Sequence, residues 1–125
     1  MSLDTVVRGD DKEIEFTIFN PALGTIDDLP ARIDLDGATV HFWARRNEVE
    51  PESIIKTSTL VTEIEIYDQT GSTVGQGKVF LVPADTLSLE AGVYIFEIRV
   101  VDSLGKVQSA IRDAFFLARE RVEIP

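Results

Sequence analysis

The stretch LSLEAGVYIFEIRVV, residues 87–101, decides the fold that this sequence adopts. A turn that contains Gly92 leads into a run in which bulky apolar residues recur at every second position. A period of two places such side chains on one face of a β-strand. The four residues on that face are Tyr94, Phe96, Ile98 and Val100. The sequence therefore predicts a strand with one face in a hydrophobic core.

Tyr94 stands two residues before Phe96 and directly after an acidic-x-Gly turn that begins at Glu90. This arrangement is typical of a tyrosine corner, in which the phenol bonds back to the backbone of the preceding loop in Greek-key sandwiches. Immunoglobulin domains have a cysteine at the position of Phe96, whereas this chain contains none. We therefore predict that residues 87–101 form the central strand of a β-sandwich that lacks the inter-sheet disulfide.

Other segments share the period of two. Residues 12–19 place Phe16 and its isoleucine neighbours on one face and glutamates on the other, which indicates a half-buried strand. Turn residues separate such segments about every 8–12 residues. The predicted strands cover residues 5–8, 12–19, 38–46, 54–59, 60 or 61 to 67, 78–82, 87–101 and 106–118. Residues 83–86 predict one helical turn, and Asp113, which interrupts the last apolar pattern, predicts a bulge or a strand switch.

These patterns predict an all-β fold, an immunoglobulin-like Greek-key β-sandwich of seven to eight antiparallel strands. With 125 residues, the chain has the size of one domain, and we predict a single domain over residues 1–125. Residues 1–3 are interpreted as a remnant of an expression vector. The fold-defining core is predicted to contain Phe16, Val40, Phe42, Tyr94, Phe96 and Ile98.

The strand at residues 38–46 raises the question of which aromatic side chain lies in the core. If Val40 and Phe42 face inward, parity sends His41 and Trp43 outward. Immunoglobulin domains bury a tryptophan on the corresponding strand, and a bulge that shifts the register by one residue would bury Trp43 in this chain. We predict that Phe42 takes the core position and that Trp43 faces outward.

Outward aromatic and apolar side chains define a candidate interaction surface. Tryptophan and tyrosine are enriched among the residues that anchor protein interfaces. The alternative is a set of scattered surface residues, or a face covered by a loop such as residues 20–30. The candidate surface consists of His41, Trp43, Tyr67, Ile95 and Val101.

The charge of the chain argues against two classes of partner. Its net charge is −10 and its isoelectric point is near 4.4, so nucleic acid and anionic membranes would be repelled. The charge is also uneven, since residues 1–95 carry 17 acidic and 7 basic side chains whereas residues 96–125 carry 5 of each. One interpretation is that the acidic surface keeps the protein in solution. The alternative is that the neutral residues 96–125 form the part that contacts a partner.

The residues give little support to enzyme chemistry. The chain has one histidine, no cysteine and no Gly-x-Ser-x-Gly elbow. Paired glutamates, such as Glu13 with Glu15, fit solvated strand faces better than a glycosidase cleft. The run Asp34-x-Asp36-Gly37 lacks the further oxygen donors of a calcium loop. We predict no catalytic residues, no metal site and no cofactor.

Several segments in order resemble the N-terminal immunoglobulin-like domain of the upper baseplate proteins of phages that infect Gram-positive bacteria. They are Leu35-x-Gly37-Ala38-Thr39-Val40-x-Phe42, Gly77-Lys78-Val79, Ala91-Gly92-x-Tyr94-x-Phe96-Glu97-Ile98 and Asp102-x-x-Gly105-Lys106-Val107-Gln108. The resemblance spans roughly residues 5–118. It implies a phage or prophage tail module that is not an enzyme and that docks to other tail or baseplate proteins, or to itself as a homo-oligomer. It also implies a virion location, with synthesis in the host cytoplasm.

A different class of function stays open from the residues. A sandwich of this kind also suits a carbohydrate-binding or calcium-dependent adhesion module of a bacterial surface protein. That hypothesis predicts a melting temperature that rises with calcium or glycans.

Overall fold

A computed structural model describes residues 4–46 and 50–119 of the chain, so residues 1–3, with their predicted vector origin, lie outside it. Within these ranges eight strands form: β1 Asp4–Val7, β2 Lys12–Thr17, β3 Thr39–Arg45, β4 Ile54–Thr57, β5 Ile64–Ile66, β6 Gln76–Leu81, β7 Gly92–Val101 and β8 Val107–Ala118. Two short 3₁₀ helices, Leu29–Ala31 and Gly71–Thr73, and one α-helical turn, α1 at Pro83–Thr86, complete the elements. In the described part of the chain, no helix has the length and apolar character that crossing a bilayer demands.

The strands form two sheets, one of five strands in the order β1-β8-β7-β3-β4 and one of three in the order β2-β6-β5. The run β8-β7-β3-β4 has the order G-F-C-C′ of a variable-type immunoglobulin domain, and β2-β6-β5 has the order B-E-D. The domain is therefore an immunoglobulin-like β-sandwich, as the alternation of the sequence predicts. The central strand of the larger sheet is β7, which contains most of the stretch that decides the fold.

One pairing departs from the predicted antiparallel arrangement. Strand β1 runs parallel to β8, with Thr5 opposite Phe116 and Val7 opposite Ala118. The chain then turns at Gly9, where φ is +87°, and continues as β2 in the other sheet. Because the chain changes sheets between β1 and β2, β1 pairs with a strand that is distant in sequence. Alternation predicts a strand but carries no information on its direction.

The predicted bulge or strand switch at Asp113 is wrong. Strand β8 continues through this residue, which lies opposite Phe96 of β7. The irregularity lies at the hairpin end instead, between Val100 and Val101, where the register shifts by one residue. The polar side chain at Asp113 is exposed and needs no bulge, and its carboxylate accepts a hydrogen bond from the Ala114 N–H at 2.8 Å.

The core between the sheets contains most of the predicted set. The side chains of Phe16, Val40, Phe42, Tyr94 and Ile98 are buried, and the Tyr94 hydroxyl donates to the Glu90 carbonyl at 2.8 Å. This hydrogen bond forms the tyrosine corner. Phe96 is only partly buried because its ring also lines a surface cavity, although it packs 5.5 Å from the ring of Phe42.

Candidate interaction surface

The outer face of the five-stranded sheet is built by residues in register across four strands. Trp43 of β3 lies opposite Ile55 of β4 on one side and opposite Glu97 of β7 on the other. Glu97 in turn lies opposite Arg112 of β8. Side chains directly opposite one another on one face are close enough to interact, so these four residues form a continuous row.

A glutamate surrounded by arginines occupies the middle of this row. The side chain of Glu97 is only 8% exposed, and its Oε1 accepts hydrogen bonds from Arg99 Nε at 3.1 Å and Nη2 at 2.8 Å. Its Oε2 lies 3.4 Å from Arg112 Nε. The guanidinium of Arg99 also stacks 4.9 Å above the ring of Trp43. These four side chains, which we call the arginine cluster, hold one another in place, and burying Glu97 without partners would be costly.

We call this surface the arginine face. Among the described side chains that register places on the outer face of β3, β4, β7 and β8, three are arginines and one is a glutamate. Asp113, in register with Phe96, is exposed next to Arg112. The charged residues of the arginine face are Arg45, Glu97, Arg99 and Arg112.

A cavity of about 320 Å³ opens beside the arginine cluster. Its apolar lining comes from Trp43, Ile95, Phe96 and Ala114, and its rim is charged. Farther out on the same sheet, Ile55 is 68% exposed and Phe116 41%. Apolar area framed by charged groups is typical of protein interaction sites. The rim residues are Arg45, Glu97, Arg112 and Asp113.

The outer face of the three-stranded sheet has the opposite charge pattern. Lys78 of the central strand β6 lies between Glu15 of β2 and Glu65 of β5 in register. Its ammonium donates to Glu13 at 3.1 Å and lies 5.2 Å from the centre of the Phe80 ring. The Glu13 carboxylate, through this hydrogen bond, raises the pKa of Lys78 above its usual range. We call this surface the glutamate face, after Glu13, Glu15 and Glu65.

The five predicted surface residues do not share one face. His41, Trp43, Ile95 and Val101 lie on the arginine face, in the register of β3 with β7. Tyr67 follows β5, and its N–H donates to Gln76 of β6 at 3.0 Å, so it lies beside the glutamate face. The inclusion of Tyr67 in one surface with the others is wrong. Parity predicts that a side chain points outward, but it does not tell which sheet the strand joins.

Sequence reasoning missed the most buried charged residue of the arginine face, Glu97. A signal was present, because Glu97 and Arg99 are two residues apart and therefore on one strand face. The partner Arg112 belongs to the next strand, and its approach depends on the register of the β7–β8 hairpin. That register, with its shift at Val100, is a property of the folded chain.

The acidic turn at Asp34 serves the backbone. The Asp34 carboxylate accepts a hydrogen bond from the Asp36 N–H at 2.9 Å, as in an Asx turn. Over residues 4–46 and 50–119, histidine, aspartate and glutamate side chains form no group of three or more that is placed to hold a metal ion. The single histidine, His41, is half-buried opposite Arg99.

Comparison with known proteins adds little to this description. No protein-family model matches the chain, and no curated protein matches it in sequence. Among solved structures, the chain is similar to the crystal structure of the RIG-5 IG1 homodimer, with 12% identity, 97% of this chain and 92% of that chain covered, and a TM-score of 0.44. The fold assignment depends on the order of the strands in the two sheets.

Proposed function

We propose that this chain is a structural module of a phage or prophage tail or baseplate, which has no enzymatic activity and docks to other virion proteins through its arginine face. The proposal combines two supports. The first is the resemblance of residues 5–118 to the immunoglobulin-like domain of upper baseplate proteins. The second is the character of the arginine face. In this proposal, the protein is made in the host cytoplasm and functions in the virion.

The single observation that carries the docking surface is the cavity beside Trp43. An apolar floor with a charged rim accepts one apolar side chain of a partner while the rim pairs with its polar neighbours. Tryptophan and arginine are the residues most often found among interface hot spots. In this structure the Arg99 guanidinium already stacks on the Trp43 ring and already forms an ion pair with Glu97. A preformed site loses less side-chain entropy on binding than a flexible one.

The experiment is a binding assay with purified proteins encoded beside this chain's gene, where tail tape-measure and fibre genes are expected. The variant Ala114→Arg places a long side chain in the cavity without removing a core residue or a member of the arginine cluster. We expect it to weaken binding at least about tenfold, a loss of about 1.4 kcal/mol. The matched control is Ser103→Arg in the exposed β7–β8 turn, which adds the same side chain elsewhere and should bind as the wild type does.

Two results would contradict the proposal. One is equal binding by Ala114→Arg and the wild type, with unchanged melting temperatures for both variants. The other is no binding to any tail protein, together with a melting temperature that rises with calcium or a glycan, which would favour the adhesion hypothesis.

A further inference from the structure

The two outer faces of the sandwich are complementary in charge. By register, the arginine face has three arginines and one glutamate, with the exposed Asp113 beside them, and the glutamate face has three glutamates and one lysine. In a chain with a net charge of −10, a cationic face is the surface most attractive to an anionic molecule. A second copy of this chain is such a molecule.

Each face also has one charge of the minority sign at its centre. At the centre of the arginine face, one anion, Glu97, is flanked by Arg99 and Arg112. At the centre of the glutamate face, one cation, Lys78, is flanked by Glu15 and Glu65. The flanking residues are placed differently, since Arg99 is two residues along β7 from Glu97 whereas Glu15 and Glu65 lie across the strands from Lys78. The two faces therefore complement each other in the sign of their charge. Interfaces between proteins are selected for this kind of complementarity.

Aromatic and apolar side chains lie at both faces. The arginine face has Trp43 and the apolar cavity next to it. The glutamate face has Phe80 on its outer side and Tyr67 next to it, both of them half-buried. A tyrosine or phenylalanine ring is a suitable anchor for an apolar cavity with a polar rim. Contact between the arginine face of one copy and the glutamate face of another would therefore bring Tyr67 close to Trp43 and Ile95, which lie on a different face of the same copy.

We propose that two copies of this protein associate head to tail, with the arginine face of one on the glutamate face of the next. This inference deepens the proposed function, on which it rests, by naming a second copy of the chain as a partner. Pairing of identical faces is disfavoured because arginines would face arginines, or glutamates would face glutamates. A head-to-tail contact leaves one face of each kind free at the two ends, so it extends to a ring or a filament.

The size of the glutamate face sets the expected strength. Of its three strands, β2 and β6 have six residues and β5 has three. At about 4.8 Å between strands and about 3.3 Å per residue, the face measures at most roughly 14 by 20 Å. This is smaller than the roughly 800 Å² that each partner buries in a stable complex. We therefore expect association that is weak, depends on protein concentration and is sensitive to salt.

The test is sedimentation velocity of the whole protein at increasing concentration, at about 0.01 M and about 1 M salt, where the screening length falls from about 30 Å to about 3 Å. We expect the average mass to rise with concentration at low salt and to return to that of the monomer at high salt. A wild-type protein that is monomeric under both conditions would overturn head-to-tail association. That result would not bear on docking to other tail proteins, which the separate binding assay tests.

Charge-reversal variants identify the faces. Arg112→Glu on the arginine face and Glu15→Arg on the glutamate face are each expected to weaken self-association at least about tenfold. Lys106→Glu and Glu52→Arg are the controls, since they make the same changes of charge at exposed positions outside the two faces. Because Arg112 contacts Glu97, a second variant, Ala114→Glu, adds a negative charge to the arginine face and leaves the cluster intact.

A mixture of the two variants separates head-to-tail from same-face pairing. The Arg112→Glu protein keeps a native glutamate face, and the Glu15→Arg protein keeps a native arginine face. An equimolar mixture should therefore form a heterodimer with an affinity close to that of the wild type. A different result would show that identical arginine faces pair and that the head-to-tail arrangement is wrong. In that result, Glu15→Arg alone associates as the wild type does, and the mixture shows no association between the two variants.

Discussion

The two outer faces of this sandwich use the same kinds of side chain in opposite roles. In the larger sheet a central glutamate, Glu97, is enclosed by arginines and is 8% exposed. In the smaller sheet a central lysine, Lys78, is flanked by glutamates, and the Glu13 that pairs with it is 52% exposed. The difference follows from strand position, because Glu97 is on the central strand of the five-stranded sheet whereas Glu13 is on β2, an edge strand of the smaller sheet. Local charge pattern alone does not determine whether an ion pair is structural.

The largest effect that tests this comparison is expected from the core beneath the arginine face. Phe42→Ala removes a fully buried ring that packs on Phe96, and it should lower the free energy of unfolding by about 3–5 kcal/mol. The matched change on the other sheet is Phe80→Ala, whose ring lies on the outer side and should cost less than about 1 kcal/mol. Chemical denaturation of both variants measures the difference, and equal losses would contradict the inward placement of Phe42.

A smaller effect is expected when the central glutamate loses its charge. Glu97→Gln keeps the shape of the side chain but leaves Arg99 and Arg112 without a carboxylate, and both arginines are partly exposed. We expect a loss of about 1–3 kcal/mol, since water compensates part of the missing interaction.

The control for this change is Glu65→Gln on the glutamate face, which should alter the free energy of unfolding by less than about 0.5 kcal/mol. If the two glutamine variants are equally stable, Glu97 contributes no more to the free energy of unfolding than the solvated Glu65 of the glutamate face.

The smallest effect concerns the tyrosine corner. Burial raises the pKa of the Tyr94 phenol above its usual range near 10.0. Its contribution to stability is therefore fully present below the pKa of the unfolded chain and declines as the pH rises toward the folded pKa, because the unfolded chain ionises first. Tyr94→Phe should lose about 1 kcal/mol near neutral pH, from the hydrogen bond to Glu90, and should show less of this alkaline decline.

The measurement is denaturant unfolding at about pH 8 and about pH 11, on either side of the usual tyrosine pKa. Tyr67→Phe, on the side of the other sheet and half-exposed, is the matched control. An alkaline decline that is as steep in Tyr94→Phe as in the wild type would show that another group is responsible.

Much of the fold follows from local pattern. The alternation at Val40 and Phe42 correctly predicts which residues enter the core and that Trp43 points outward. The turn before Tyr94 correctly predicts the corner hydrogen bond. These predictions succeed because parity and turn chemistry are properties of a few neighbouring residues. The predicted bulge at Asp113 failed because an exposed polar residue within a strand looks the same in sequence as a break in it.

The candidate site was predicted in part. The aromatic and apolar residues of the arginine face, Trp43 and Ile95 among them, were expected to face outward, and they do. The cluster around Glu97 and the separation of Tyr67 were not predicted. Each depends on which strands become neighbours, and strands β3, β7 and β8 are joined in space by a topology that alternation does not encode.

The sequence by itself determined that this chain forms strands, which side of each strand is apolar and where the corner tyrosine bonds. The tertiary structure alone decided that β1 joins β8 in parallel, that Glu97 is enclosed by arginines from two strands, and that the two outer faces carry opposite charge. The physical reason is range. Backbone preference and side-chain period act over a few residues, whereas charge complementarity and burial depend on residues that only folding brings within a few ångströms of one another.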